Sequence, residues 1–234
     1  MTVLELVEFL RKSILDDIGG SNVAWKTLTE NDPASTQLRW SNEELVSFLT
    51  QAEREIARRT QTLIDNTGVY DINTVVDTPD YVLGPKVLRI AEIEYDGRQL
   101  EKLQHKDLRR IYSRKTHTGY PRNYAVDVGN RKITLYPTPD DIYSIQLVVC
   151  RLPLSDFLWS TADVTVPEIP EVFHFGLLNY AAYLAYMKDE ATALDPGRAA
   201  MFKALFDQDF IPTVIGQEEK KMRNRGITME YGGL

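Results

Sequence analysis

The chain has 234 residues, 43% of them hydrophobic, with one cysteine and a net charge of −7 from 27 basic and 34 acidic side chains. That is enough apolar material for one domain, or one and a half, with a normal core. The acidic balance argues against a free-standing nucleic-acid binder, which is usually basic; the lone Cys150 excludes an internal disulfide framework. No apolar run approaches the roughly 18 residues that a membrane span needs.

Thr2 and Glu5 have capping-box spacing, and Leu4, Val7, Leu10 and Ile14 follow at helical intervals. They predict an amphipathic helix ending near Asp17, with Gly19-Gly20 as its stop. The stretch carries acids inside its apolar run and lacks a small-residue cleavage site, so it does not read as a secretory leader. The expectation is a chain that folds in a reducing cytoplasm. Residues 21–39 read as an ordered arm. Trp25 either staples that arm to the body or anchors on a neighbouring subunit, since aromatic anchors are enriched at interfaces.

Ser41 and Glu44 form a second capping box and open a helix over Ser41–Ile64, with Leu45, Phe48, Leu49, Ala52, Ile56 and Leu63 as its apolar stripe. Short β-like pieces follow at Val69–Ile72 and Thr74–Val76, then a strand over Val87–Tyr95. Asp96-Gly97 is a hairpin signal. Lys106–Ser113 predicts one or two helical turns. From Gly119 to Pro153 the pattern reads as three consecutive strands. Gly129-Asn130 makes the first turn, and the proline-rich Pro137–Asp141 makes the second.

Leu154–Val166 is a connecting loop that carries Trp159, the other candidate inter-subunit anchor. Pro170–Lys188 predicts a helix that is apolar nearly all round, hence buried on several sides or packed on other chains. Asp195 caps a further helix with Pro196 in its first position, and Met201, Leu205 and Phe206 form its stripe. The pattern breaks at Pro212. Residues 213–234 mix charges and glycines without periodicity and predict an extended tail.

Helices, then strands, then helices predict an α+β fold. Residues 40–66 and 167–210 form a helical domain, preceded by the N-terminal helix and arm at 1–39. A small antiparallel β-domain, 67–153, is inserted between them, with 154–166 as the connecting loop and 211–234 as the tail.

Chemistry is sparse. His105, His117 and His174 are not paired at ligand spacing, and Cys150 has no companion base. The glycines are isolated, so no phosphate loop is present. Asp140-Asp141 and the pair Glu168 and Glu171 formally allow a two-carboxylate hydrolase, although aspartates suit turns and acids suit helix starts. Arg109, Arg110, Arg114, Lys115 and His117, running up to Tyr120 and Arg122, read as a solvated basic face or a contact for DNA or an acidic partner. No catalytic, cofactor or metal residue is assigned, and the chain is read as a non-enzyme. In the tail, Ile211, Val214, Ile215, Met222, Ile227, Met229 and Tyr231 have no evident core to enter. With Arg223 and Arg225 they mark a segment that orders on a partner.

The stretch GYPRNYAVDVGNRKITLYPTPDD and the strand after it that ends in Arg151-Leu-Pro153 resemble the β-domain of phage head-to-tail adaptor (connector) proteins. Trp40–Leu45 running on to Glu53–Ala57 resembles that family's first long helix. Pro167–His174 and Leu177–Ala182 resemble its closing helices. The resemblance covers roughly Trp40 to Phe210, and residues 1–39 are longer than the family's plainest version. It implies a structural virion protein forming a ring, dodecameric in the family, beneath the portal. Such a ring extends the DNA channel, which DNA traverses without sequence-specific binding, and offers a platform for a tail or nozzle protein. The implied partners are the portal protein, further copies of this chain and the tail component, with no membrane. The implied location is the virion neck, after assembly in the host cytoplasm. In short-tailed members the C-terminal tail reaches into the portal, and residues 211–234 match it in position. The remaining alternatives are a tail-completion or stopper protein that does not touch the portal, and the hydrolase.

Overall fold

The computed structural model describes residues 1–17, 25–27, 38–103, 117–127, 131–188 and 194–223, with Thr27 and 211–223 by backbone alone. The fold is α+β. It divides into a helical unit, Met1–Thr60 with Pro153–Leu234, and a β unit, Gln61–Leu152.

In the helical unit, α1 spans Val3–Phe9 and starts as its sequence predicts. The Glu5 amide donates to Thr2 Oγ1 at 3.2 Å, and the Thr2 amide to Glu5 Oε2 at 2.9 Å. One π-helical turn, Leu10–Leu15, extends it, and Asp16 ends it in the left-handed region at φ 50°. The stop therefore falls before the expected Gly19-Gly20, at a residue type that tolerates this conformation. Helix α2, Asn42–Thr60, opens on the predicted box between Ser41 and Glu44. Leu45, Leu49, Ala52 and Ile56 are fully buried along it, each large aliphatic side chain contributing about 2 kcal/mol by burial. The helix is shorter than predicted. Gln61 takes φ 51°, so Leu63 falls outside the helix, and Ile64, its expected last residue, joins a strand.

Pro170 precedes a 3₁₀ turn, Glu171–Phe173, that leads into α3, His174–Met187. Helix α4, Pro196–Arg223, is capped by Asp195, whose Oδ1 accepts the Arg198 amide at 3.0 Å. The sequence reading ended this helix at Phe210. The backbone instead stays helical through Pro212, which removes one donor from the ladder. The α3–α4 seam is aromatic, with Tyr180, Phe206, Phe210 and Phe173 in successive contact at 4.7, 4.8 and 5.6 Å between centroids. Gly176 permits it: a Cβ there would lie 2.4 Å from Phe210 Cε2.

A buried cation ties the segments before α2 together. Arg11 donates to Asp17 Oδ2 at 2.6 Å, to the Trp40 carbonyl at 2.7 Å and to Asn42 Oδ1 at 2.9 Å. Trp40 is itself buried, with its indole N–H donating to the Ala185 carbonyl at 3.1 Å.

The β unit holds two sheets. One has β1 (Ile64–Asp65), β9 (Ser144–Arg151), β4 (Val87–Tyr95) and β5 (Arg98–Gln99) in that order, with β2 (Ile72–Asn73) also on β9. The other has β3 (Asp80–Val82), β8 (Lys132–Tyr136), β7 (Asn123–Asp127) and β6 (Glu101–Lys102). Both sheets feed one core that includes Ile90, Ile93, Tyr124, Ile133, Leu135, Ile145, Leu147 and Val149. The Asp96-Gly97 hairpin forms as predicted, with φ 51° and 68° between paired Tyr95 and Arg98.

The expected sheet of three consecutive strands is corrected. β7 and β8 pair, from Asn123↔Tyr136 to Asp127↔Lys132, but β9 leaves them for β4, with Ile93↔Leu147 among its pairs. Strands β6 and β7 run parallel, so that sheet is mixed. The Gly129-Asn130 turn and the turns expected over Lys106–Ser113 lie outside the described residues.

Candidate interaction surfaces

Trp25 opens a 3₁₀ turn, Trp25–Thr27, and its ring is covered by its own chain. The Arg11 guanidinium lies 5.6 Å from the ring centroid, Lys26 Nζ 5.5 Å and the Trp159 ring 6.5 Å. Its carbonyl accepts from Asn42 Nδ2 at 2.8 Å. Trp159 is half-buried and lines an open pocket of about 690 Å³ with Leu4, Lys26, Glu43, Leu158 and Asp163. Glu43 brings to this region a carboxylate oxygen that is sealed from solvent and that no donor among the described residues reaches.

A second pocket, about 500 Å³, opens in the β unit between Tyr95, Tyr120, Tyr143, Arg98 and Arg122. Tyr95 meets Tyr143 edge-on at 5.0 Å, and Arg122 stands 4.5 Å over the Tyr120 ring. Tyr143 donates to Asp140 Oδ1, and that bond to a carboxylate pushes its pKa up to about 12. The sequence reading spread these tyrosines over three elements. Only the sheet topology brings them together, so no local signal could have found the cluster. Of the basic cluster, Arg109, Arg110, Arg114 and Lys115 lie outside the described residues. His117 is exposed.

The acids of the hydrolase alternative hold structure. Asp140 takes the Tyr143 hydroxyl, and Asp141 Oδ1 accepts the Ile142 amide at 2.7 Å. Glu168 accepts the Leu154 amide at 2.6 Å, and Glu171 pairs with the Met1 amine at 3.3 Å. His174 is buried beside that amine and the Ile169 carbonyl; burial foremost, then the amine's charge, lowers its pKa. Cys150 is buried in β9. Among the described residues no three His, Cys, Asp or Glu side chains converge to hold a metal, and no helix is long and apolar enough to cross a membrane.

Of the predicted tail residues, Ile211, Val214, Ile215, Met222 and Arg223 belong to the helical backbone of α4. Arg225, Ile227, Met229 and Tyr231 lie outside the described residues. The expected stripe of α4 is corrected in part. Phe206 is buried, as are Ala199 and Phe210, but Met201 and Leu205 face solvent. The inward period runs through 199, 206 and 210, which leaves 201 and 205 on the other side of the helix.

A family profile described as SU10 adaptor protein matches residues 1–228. The chain belongs to the SU10 adaptor protein family. No curated protein matches it. The protein is thus a structural phage adaptor, a virion component, and its surfaces are to be read as contacts between proteins.

Proposed function

We propose that this adaptor forms a ring beneath the portal, prolongs the DNA channel and presents the platform to which a tail or nozzle protein attaches. The observation that carries the proposal is the family match across residues 1–228. Exposed Val172, Phe175, Met201 and Leu205 support it, because apolar side chains are left bare where another protein covers them. Residues beyond Phe210 are assigned to the portal: Ile211, Val214, Ile215, Met222, Arg223, Arg225, Ile227, Met229 and Tyr231. Contacts that this segment makes on the portal would make ring closure depend on docking. Trp159, with its pocket, is assigned to the rim between copies. The net charge of −7 fits a wall past which DNA slides without being gripped.

The test is native mass, of the adaptor alone, mixed with the cognate portal ring, and truncated after Phe210. The expected result is a monomer that joins the portal in a fixed copy number and fails to when truncated. A full-length adaptor that never joins the portal sinks the proposal and favours the stopper alternative.

A further inference from the structure

The helical unit carries two uncovered apolar features of opposite shape. On one side Val172 and Phe175 protrude at the start of α3, 78% and 62% exposed, with Phe9 of α1 edge-on to Phe175 at 6.0 Å. On another, the solvent face of α4 runs through Gly197, Ala200, Met201, Ala204, Leu205 and Gln208, all exposed. Between exposed Arg198 at its head and exposed Asp209 at its foot that face carries no charge, where an ordinary surface helix carries lysine and glutamate. Its small residues make it shallow, and Met201 and Leu205 are 51% and 42% bare.

The two features do not face each other within the chain. Gly176, Tyr180 and Phe206 fill the seam between α3 and α4, so the α4 face points away from α3. Phe175 turns instead towards α1. Charges of opposite sign flank the two features: Glu171, which pairs with the Met1 amine at 3.3 Å, sits beside the protruding pair, and Arg198, which pairs with Asp195 at 3.5 Å, sits at the head of the α4 face; both side chains remain open to solvent and within reach of a neighbouring copy. A self-complementary patch would make a closed two-fold dimer, whereas two different patches that fit each other make a head-to-tail contact, which closes as a ring when the rotation between copies allows it and otherwise runs on as a filament.

We propose that neighbouring copies of the adaptor meet through these two faces, with Val172 and Phe175 of one copy seated on the Gly197–Gln208 face of α4 in the next. The proposal rests on the ring reading above and names its lateral contact. The occupant of each face is therefore a second copy of this chain.

Paired cysteines test it in the complex with the portal. Val172→Cys combined with Ala200→Cys, and separately Phe175→Cys with Ala204→Cys, are oxidised after assembly; buried Cys150 stays out of reach. The expected result is a covalent ladder from dimer upwards in both double variants and none in the four single variants. Dimers from a single variant would mean a two-fold contact and overturn the proposal. So would cross-links from either face to the portal subunit, or a portal complex that forms normally and gives no ladder. Ala204→Arg gives a readout that does not depend on cysteine. Its position is exposed, so the monomer should melt as the parent does while copies per portal fall at least tenfold. Unchanged copy number refutes the contact. If the parent itself never joins a portal, the ring reading fails first, and that failure is visible without any variant.

Discussion

The helical unit and the β unit are held together by different means. In the helical unit a few side chains join segments far apart in sequence: Arg11 ties Asp17, Trp40 and Asn42, and the Gly176–Phe210 approach closes α3 on α4. In the β unit two sheets share one apolar cluster, and the ion pair between Asp65 and Arg151 lies near the end of the longest pairing. The difference teaches where each unit is brittle. Loss of one group should unravel much of the helical unit, whereas the β unit spreads its stability over strand pairs. All three tryptophans, Trp25, Trp40 and Trp159, lie in the helical unit, so their fluorescence follows that unit alone.

The largest effect is expected at Arg11. Arg11→Ala leaves the Asp17 carboxylate buried without its cation and removes the guanidinium that donates to the Trp40 carbonyl and Asn42 Oδ1. Breaking a buried pair from one side costs about 3–5 kcal/mol. Urea unfolding followed by tryptophan fluorescence should show it, while amide exchange in β4, β8 and β9 stays unchanged. A loss below about 1 kcal/mol would mean that water enters and replaces the guanidinium. Gly176→Ala comes next. Its Cβ would overlap the Phe210 ring, which Phe173 and Phe206 hold on either side. The ring has little room to give, so about 3 kcal/mol is expected, the upper part of the range for overpacking. Wild-type stability in this variant would show that α3 and α4 slide apart freely.

Much of the helical unit was legible because its signals are local. Both capping boxes, the Asp195 cap and the α2 stripe depend on residues within a turn of one another. The helix ends were not: Asp16 and Gln61 take left-handed backbone without a glycine to announce it. The sidedness of α4 was misread because Met201, Leu205 and Phe206 are equally apolar, and only the partner helix decides which of them goes inside. In the β unit the alternation of β7, β8 and β9 was plain, but alternation does not say which strand is the neighbour. β9 chose β4, some fifty residues earlier in the chain, and that pairing placed Tyr143 beside Tyr95 to make the tyrosine pocket. Arg11 was passed over because an arginine at that spacing reads as solvated until Asp17, Trp40 and Asn42 close around it.

A smaller effect, and one that depends on pH, separates the units further. Two bonds from Thr67 and then Arg151 hold the Asp65 carboxyl down at about 2, from an ordinary 3.8. A depressed folded-state pKa stabilises the protein fully above the ordinary value, and that stabilisation is lost as pH falls from about 4 to about 2. Asp65→Asn should cost the β unit about 2 kcal/mol at neutral pH, the scale of a hydrogen bond to a charged group. The gap to wild type should close on acidification through that window. Amide exchange in β1 and β9 measures it. A gap that persists unchanged at pH 2 would show that packing, and not charge, is what the aspartate supplies.

The smallest effect is expected on the outer face of α4, and there a near-zero result is informative. Met201→Ser and Leu205→Ser remove apolar atoms that water already reaches, so the monomer should change by no more than about 0.5 kcal/mol. Phe206→Ala, on the inner face of the same helix, removes a fully buried ring and should cost about 3–5 kcal/mol. Both faces are apolar, and the stability measurement checks that the inner one is core while the outer one is not. If the serine variants instead lose 2 kcal/mol or more, that face is already covered within the monomer. It is then part of the core, and the lateral contact assigned to it has no surface to use.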